Sequence, residues 1–261
     1  MTLDLLLFST RTSLVAPAVA GGVAGIVVDC ERVGKAARQR GADTHIAADT
    51  LDDLARVHAC TNARVICRID GPGPWTGPQV ESAIDAGADE ILLPMVRRPE
   101  EVEVALAAAD ARAVGILIET REALDCTEAL AALPLSRAYV GLNDLAIERG
   151  TPSLFTALVD GTVETIRAAV EGVPFGFAGL TIPGGGSPVP TCLLLGELTR
   201  LGADFTFLRR SFWRDVEGRD VAAAVAGMRA AASASAARSP SEVASDRAAL
   251  LDALDATGAA V

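Results

Sequence analysis

The chain has almost no lysine: Lys35 is the only one among 261 residues, and arginine supplies the other basic side chains. A Schiff-base mechanism needs a lysine amine, so such a mechanism would have to use Lys35. Positive charge is scarce overall, with 23 Lys and Arg against 34 Asp and Glu and a net charge of -11. Binding to phosphate backbones or anionic membranes depends on clustered positive charge, so neither is expected as the main partner. A small anionic substrate needs only one or two placed cations and remains compatible with this balance.

Long apolar runs and paired cysteines are also missing. The longest apolar stretch, residues 13–28, is too short for a membrane span and is interrupted by Pro17, Gly21 and Gly22. The first four residues carry Asp4 and no positive charge, unlike a signal peptide. The cysteines are widely spaced and form no CxxC, which argues against a disulfide framework or a zinc knuckle; they are Cys30, Cys60, Cys67, Cys126 and Cys192. We therefore expect a cytoplasmic protein with reduced thiols.

Short runs of Val, Ile and Leu alternate with stretches rich in Ala, Leu, Glu and Arg. The runs predict strands at residues 3–9, 25–31, 64–70, 90–96, 113–119, 137–142, 175–181 and 204–210. Most are continuously apolar, which is typical of parallel strands covered on both faces. Eight strands alternating with helices predict an α/β fold, a (β/α)8 TIM barrel. A doubly wound open sheet is the alternative, although no GxGxxG follows the first strand.

The stretches between these strands predict helices near residues 11–20, 34–40, 51–59, 79–86, 99–109, 121–132, 153–170, 190–201 and 215–232. After Ala230 the composition changes. The stretch AASASAARSP, residues 231–240, predicts a linker, and residues 241–256 predict a short amphipathic helix. We therefore expect a barrel domain over residues 1–232 and a helical C-terminal extension over residues 233–261. That helix could dock on the barrel, pack on a neighbouring subunit or stay mobile.

Charged residues end several predicted strands, which in a barrel is where functional side chains gather. The second strand ends with Asp29 and Glu31, whose side chains share a face because they alternate along the strand. Two adjacent carboxylates repel unless a cation or a proton is shared. The third strand carries Arg68 among apolar residues, where an unpaired guanidinium would be costly.

Two further acids end the fifth and sixth strands, Glu119 and Asp144. Singly, each is compatible with a strand-end ion pair, and Asp144 with a helix cap. Together, two carboxylates on neighbouring strands, with positions left open for water and substrate oxygens, are how proteins usually hold Mg²⁺. A fixed arginine such as Arg68 binds a carboxylate with two parallel hydrogen bonds. The residues thus favour a metal site beside an anionic substrate.

Five stretches of the sequence resemble the HpcH/HpaI aldolase and citrate lyase beta-like superfamily, which are phosphoenolpyruvate/pyruvate-binding TIM barrels. They read GIVVDCERVGKAARQRG, RVICRID, AGADEILLPMVRRPEEVE, VGILIETREAL and YVGLNDLAIERG. The resemblance runs from about Leu3 to Arg219. It implies a class II, metal-dependent carbon–carbon lyase or aldolase that acts through an enolate on a pyruvate- or oxaloacetate-like 2-oxo acid or an acyl-CoA. It also implies a homo-oligomer, a trimer or a hexamer.

The resemblance assigns roles by position in this sequence. Glu119 and Asp144 match the two metal ligands, with Mg²⁺ expected and Mn²⁺ or Co²⁺ possible. Arg68 matches the arginine that binds and polarises the substrate, and Glu31 matches the acid that organises water or substrate beside the metal. The remaining substrate-binding residues are expected to be Asp29 and the backbone of Leu142, Asn143 and Asp144.

The general base is the point at which the sequence departs from the family. Arg32 stands where the hydroxy-acid aldolases have a histidine, and the histidines of the chain are His45, in a loop that could approach the mouth, and His58, expected at the surface. A metal-bound hydroxide could serve instead. Two alternatives stay open: a CoA-thioester hydrolase or condensing enzyme on the same site, and a ligand-binding barrel without turnover.

Gly184, Gly185 and Gly186 follow the seventh predicted strand, and Arg209 and Arg210 close the eighth. This region often binds phosphate in barrels. We favour a mobile lid for the glycines and a structural ion pair for the arginines.

Overall fold

The computed structural model describes residues 3–33, 49–209 and 211–255. Eight parallel strands pair in chain order, and the eighth pairs with the first, so the sheet closes into a barrel. The strands are β1 Asp4–Phe8, β2 Gly25–Asp29, β3 Arg64–Arg68, β4 Glu90–Leu93, β5 Ala113–Ile118, β6 Arg137–Val140, β7 Phe175–Leu180 and β8 Phe205–Leu208. The predicted (β/α)8 barrel is confirmed, and the open sheet is wrong.

Each strand ends before its predicted C-terminal limit, and the residues beyond its end enter a loop or, at Leu142, the next helix. Helices cover the outside of the barrel. They are α1 Thr12–Ala20, α2 Leu51–Cys60, α3 Thr76–Asp85, α4 Pro99–Ala109, α5 Arg121–Asp125, α6 Thr127–Ala131, α7 Leu142–Arg149, α8 Thr156–Val159, α9 Thr162–Ala169, α10 Thr191–Arg200, α11 Ser211–Asp215, α12 Val221–Ala236 and α13 Pro240–Asp255. The helix predicted over residues 34–40 lies outside the described residues. In the described parts of the chain, we find no helix with the length and apolarity that crossing a membrane requires.

The strands are buried on both faces, which explains their unbroken apolar runs. Alternate side chains fill the inside of the barrel: Leu6, Val27, Ile66, Leu92, Leu117, Tyr139, Phe205 and Phe207. The residues between them pack against the helices in a second, larger core. Because side chains alternate, the inward-facing series continues past the strand ends to the rim, where the polar residues lie.

Two predicted helices are each divided in the structure. The stretch at residues 153–170 forms α8 and α9, because Gly161 adopts a left-handed conformation at φ 82° and Asp160 caps the next helix through the amide of Thr162. The stretch at residues 121–132 is broken at Cys126 into α5 and α6. Helix α7 occupies a stretch for which no helix is predicted.

The C-terminal extension is helical and docks on the barrel of its own chain. Helix α13 packs on α10, with Leu250 and Leu254 fully buried. Arg247 donates from Nη1 to Glu197 at 2.8 Å and from Nη2 to the carbonyl of Leu158 at 2.8 Å. The structure differs from the linker predicted over residues 231–240, because α12 continues through Ala236, as its alanine content favours. The domain division at residue 232 stays a prediction.

The N-terminal end of the barrel is held by a buried ion-pair cluster. Glu90 is fully buried and accepts hydrogen bonds from Arg137, at 2.6 and 2.8 Å, from Ser136 at 2.6 Å and from Arg64 at 3.1 Å. Burial opposes its ionisation, but these donors outweigh burial and lower the pKa of Glu90 below its ordinary value. This end therefore contributes to stability, and the opposite rim carries the candidate site.

Candidate functional site

Arg68 and Asp29 form a bidentate ion pair at the C-terminal rim of the barrel. Their Cα atoms are register partners on β3 and β2, and both side chains point inward. Arg68 Nε donates to Asp29 Oδ1 at 2.9 Å, and Nη2 donates to Oδ2 at 2.7 Å. The pair occupies one edge of the guanidinium and leaves Nη1 outside it. The unpaired guanidinium that the sequence alone would make costly therefore has a partner.

Glu31 places a second carboxylate beside the guanidinium of Arg68. Its Oε2 lies 3.6 Å from Arg68 Nε, and the residue is 2% exposed. Burial disfavours a charged guanidinium, but Asp29, Glu31 and Glu119 together raise the pKa of Arg68 above its ordinary value. Phe8 from β1 contacts the other side of this guanidinium, with its ring centre 5.1 Å from Cζ. Arg68 is thus a fixed, fully charged group.

Glu119 follows β5 and is fixed by the backbone around it. Its Oε1 accepts a hydrogen bond from the amide of Met95 at 2.9 Å, and the residue is 2% exposed. Thr120 anchors the turn, because its hydroxyl donates to the carbonyl of Val96 at 2.6 Å and caps α5 through the amide of Ala123. The carboxylate therefore has one orientation before any ligand binds.

Gly141 is the residue that makes room for this carboxylate. A Cβ atom at Gly141 would lie 2.1 Å from Glu119 Oε2, which no side chain could accommodate without movement of the carboxylate. Gly141 is also the N-cap of α7. The backbone at the end of β6 thus lies so close to the Glu119 carboxylate that only glycine fits at position 141.

Asp144 lies in the first turn of α7, where the positive end of the helix dipole favours an acid. Burial, followed by the charges of Asp144 and Glu31, raises the pKa of Glu119 to about 8 against the opposing effect of Arg68. Asp144 and Glu31 therefore both act on Glu119 through space. The structure brings these acids and Arg68 to one mouth, as the sequence predicts; their chemical roles stay predictions.

A hard dication suits the donor set at this mouth. Carboxylate oxygens are the ligands that Mg²⁺ prefers, and besides Asp29, which pairs with Arg68, the mouth holds Glu31, Glu119 and Asp144. Over residues 3–33, 49–209 and 211–255, no three His, Cys, Asp or Glu side chains are grouped closely enough to hold a metal. An ion here would therefore rest on two carboxylates, Glu119 and Asp144, with further ligands from water or substrate.

Leu142, Asn143 and Asp144 form the first turn of α7 rather than the end of a strand. The first amides of a helix have no acceptor within the helix, so this turn presents donors at the rim. The side chain of Leu142 is buried and fixes the turn. The predicted use of this backbone for a substrate carboxylate is compatible with that placement.

Tyr139 belongs to the floor of the site, and sequence reasoning did not single it out. It is the only tyrosine of the chain, and its hydroxyl donates to the carbonyl of Ala178. Its ring centre lies 4.2 Å from that of Phe207, and Phe207 in turn lies 5.0 Å from Phe8. Burial, and then the charge of Glu119, raise the pKa of Tyr139. The available signal was its position two residues before Gly141, on the inward face of β6.

Arg32, at the position of the missing histidine, is hydrogen-bonded to neighbouring loop residues. Its side chain donates to the carbonyl of Asp49 at 3.2 Å, and its amide donates to Asp70. Asp49, which the sequence did not single out, accepts from the amide of Asp29 at 3.0 Å. His58 lies beside Gly87, at the opposite end of the barrel.

Lys35 and His45 fall outside the described residues, and so does Arg210. No general base is assigned among the residues that the structure describes.

No protein-family model matches this sequence, and no curated protein matches it. Solved structures do match. An HpcH/HpaI aldolase from Desulfitobacterium hafniense DCB-2 gives a TM-score of 0.66 at 15% identity, covering 83% of this chain and 90% of that one. The citrate lyase beta subunit from M. tuberculosis, complexed with oxaloacetate and magnesium, gives 0.59 at 17% identity, covering 88% and 97%. The 3-hexulose-6-phosphate synthase from Salmonella typhimurium gives 0.62 at 13% identity, covering 89% and 100%.

These likenesses establish the fold. The (β/α)8 barrel predicted from the sequence is therefore confirmed, and membership of the superfamily that the motifs resemble stays a prediction. The third match is named for a different reaction, and one barrel fold carries many activities, so the chemistry must be argued from the site.

Proposed function

We propose that the protein is an HpcH/HpaI- and citrate-lyase-like enzyme, a divalent-metal-dependent lyase that cleaves or forms a carbon–carbon bond to a 2-oxo acid or an acyl-CoA. The observation that carries the proposal is a buried guanidinium fixed at the same mouth as a buried carboxylate. Arg68 and Glu119 each alter the pKa of the other, although neither is the main partner of the other. The Glu119–Asp144 pair would hold Mg²⁺, in agreement with the magnesium in the complex of the structurally similar citrate lyase beta subunit.

The bound cation would supply Lewis-acid polarisation of the 2-oxo group. Arg68 would bind the same end of the substrate and stabilise negative charge as the carbon–carbon bond breaks and its electron pair enters an enolate. Asp29 keeps the guanidinium plane fixed, so little reorganisation is needed during the reaction. The amides that begin α7 would receive the substrate carboxylate.

The floor beneath these groups is apolar and would exclude water from the developing charge. Phe8, Tyr139 and Phe207 form it, and the tyrosine hydroxyl is already used by the carbonyl of Ala178. In such surroundings electrostatic stabilisation is stronger than in water. We therefore assign Tyr139 to the floor of the site and not to proton transfer.

The test is a pair of matched variants, Glu119→Gln and Glu122→Gln. Both remove one negative charge from the same region, but the Glu122 side chain is 53% exposed, on α5. We expect Glu119→Gln to weaken Mg²⁺ or Mn²⁺ binding by at least tenfold in calorimetry and Glu122→Gln to leave it unchanged. Full metal affinity in Glu119→Gln would show that the site assignment is wrong.

Product analysis separates the proposal from its alternatives. A lyase releases pyruvate or glyoxylate from a panel of hydroxy-2-oxo acids and acyl-CoA compounds. Release of free CoA without carbon–carbon cleavage would instead indicate the thioester hydrolase. Metal and ligand binding without turnover would indicate a binding barrel. The homo-oligomer and the cytoplasmic location remain predictions of the sequence.

A further inference from the structure

Arg209 comes directly after β8, one residue beyond the last strand position. Phe205 and Phe207 on this strand face the inside of the barrel, and Leu208 faces the helices. By alternation the side chain of Arg209 points to the inside as well, at the rim above Phe207. Arg209 is thus a second arginine at the mouth, and it has no role in the proposed carbon–carbon bond cleavage.

Among the residues that the structure describes, one buried donor of Arg209 has no hydrogen-bond partner. Its Nε atom is buried and unpartnered, and so is the hydroxyl oxygen of Ser211 at the start of α11. The charge of Asp215 acts on Arg209 through space, but its carboxylate accepts from Thr181 and lies 3.3 Å from Nε of Arg214. Of the structural ion pair predicted for Arg209 and Arg210, none is found for Arg209 in the part of the chain that the structure describes, and Arg210 lies outside that part. Burial lowers the pKa of Arg209 against the opposing effect of the Asp215 charge.

The backbone around Arg209 is shaped to leave it space. A Cβ atom at Gly179 on β7 would lie 3.1 Å from Cβ of Arg209, a tight contact that glycine avoids. Gly179 follows Ala178, which has φ 58°, at an irregularity in the pairing of β7 with β8. Trp213 of α11 donates to the carbonyl of Phe8 at 3.1 Å and so fixes the turn over the end of β1.

Arg209 and Arg68 are separated at the rim by one side chain. Leu7 on β1 pairs with Leu208 on β8, so the following residues, Phe8 and Arg209, come side by side. Phe8 contacts Arg68 on its other side. A ligand whose one end lies at Arg68 can therefore extend over Phe8 towards Arg209.

We propose that Arg209, with Ser211, forms a second oxyanion subsite that binds a carboxylate or phosphate at the end of the substrate remote from Arg68. Two unpartnered donors at one strand end are costly unless a ligand accepts their hydrogen bonds. The inference rests on the proposed function for the orientation of the substrate. It narrows the substrate class to compounds with two anionic groups.

The variants Arg209→Gln and Arg214→Gln form the test. Each removes one positive charge, and the Arg214 side chain is 78% exposed, so it controls for the change in net charge. Binding of pyruvate, oxaloacetate, succinate and inorganic phosphate is measured by calorimetry in the presence of Mg²⁺. We expect Arg209→Gln to weaken oxaloacetate at least tenfold and pyruvate by less than twofold, and Arg214→Gln to change neither.

The probes separate failure of the subsite from failure of the proposed function. If Arg209→Gln binds both 2-oxo acids, and the affinities for the two fall equally or not at all, the subsite is wrong and the proposed lyase function is unaffected. Loss of succinate or phosphate binding in Arg209→Gln, in a protein that binds neither 2-oxo acid, would support the subsite and overturn the lyase. The stronger of these two probes identifies the remote group as carboxylate or phosphate. If no probe binds the unmodified protein more tightly than Arg209→Gln, the subsite is wrong.

Discussion

Replacement of Asp29 by asparagine tests whether the rim is built around a fixed ion pair. The substitution keeps the size of the side chain but removes the charge that takes both hydrogen bonds of Arg68, at 2.9 and 2.7 Å. Removing one partner of a buried pair typically costs about 3–5 kcal/mol, because the other charge is left uncompensated. Here Glu31, at 3.6 Å, retains part of the compensation, so we expect about 2–3 kcal/mol. For a chain of this size that corresponds to a fall in Tm of roughly 4–12 °C.

The assay is thermal and urea unfolding followed by circular dichroism, with Asp4→Asn as the control. Asp4 is an exposed acid at the opposite end of the barrel, so its replacement removes the same charge without breaking a buried pair. The double variant Asp29→Asn with Arg68→Met should recover part of the lost stability, because the uncompensated guanidinium is then gone. If Asp29→Asn costs no more than Asp4→Asn, the pair does not hold the rim and the reasoning is refuted.

Two further substitutions test the local geometry at each end of the barrel. Gly141→Ala should displace Glu119 and lower metal affinity at least tenfold in calorimetry, because the new Cβ would lie 2.1 Å from Glu119 Oε2. Gly227→Ala is the control, because a Cβ there meets no atom within 4 Å, and it should leave metal affinity unchanged. An equal loss of affinity in both variants would contradict the role given to Gly141. Glu90→Gln should destabilise the barrel by about 2–4 kcal/mol at neutral pH. Because the pKa of Glu90 in the folded protein lies below its ordinary 4.5, this stabilisation is present above about pH 4.5 and is lost as pH falls through the folded pKa. Urea unfolding at pH 7 and pH 3.5 should show that the stability difference between the unmodified protein and Glu90→Gln becomes smaller at the lower pH. A difference that does not change with pH would show that the ion pair is not its source.

The strand pattern could be predicted because it is local. Runs such as residues 25–29 are apolar on both faces, and the alternation of strand and helix leaves few arrangements other than a barrel. The candidate acids and Arg68 could be predicted for a related reason, since a charge that ends an apolar strand has few structural explanations. The start of α7 at Leu142 was not predicted, because a short helix that opens at a functional turn lacks a full apolar period.

The elements missed by sequence reasoning depend on contacts between distant segments. Tyr139 reads as an ordinary strand residue until the closed sheet places it beside Phe207. Arg209 reads as half of an ion pair, but its buried Nε has no hydrogen-bond partner among the residues that the structure describes. The docking of α13 on α10 depends on Leu250 and Arg247 finding buried partners far away in the sequence.

The amino-acid sequence by itself determined the eight strands, their order and the identity of the charged residues that follow them, because hydrophobic periodicity and strand-end polarity are properties of short stretches. The tertiary structure alone decided which of those charges meet. Arg68 is paired by Asp29 through the register of β2 and β3, and Glu119 faces Asp144 because a glycine lets β6 close against it. The buried Nε of Arg209 has no partner among the described residues for the same reason: the distances between side chains are set by the closure of the sheet, which no short stretch of sequence records.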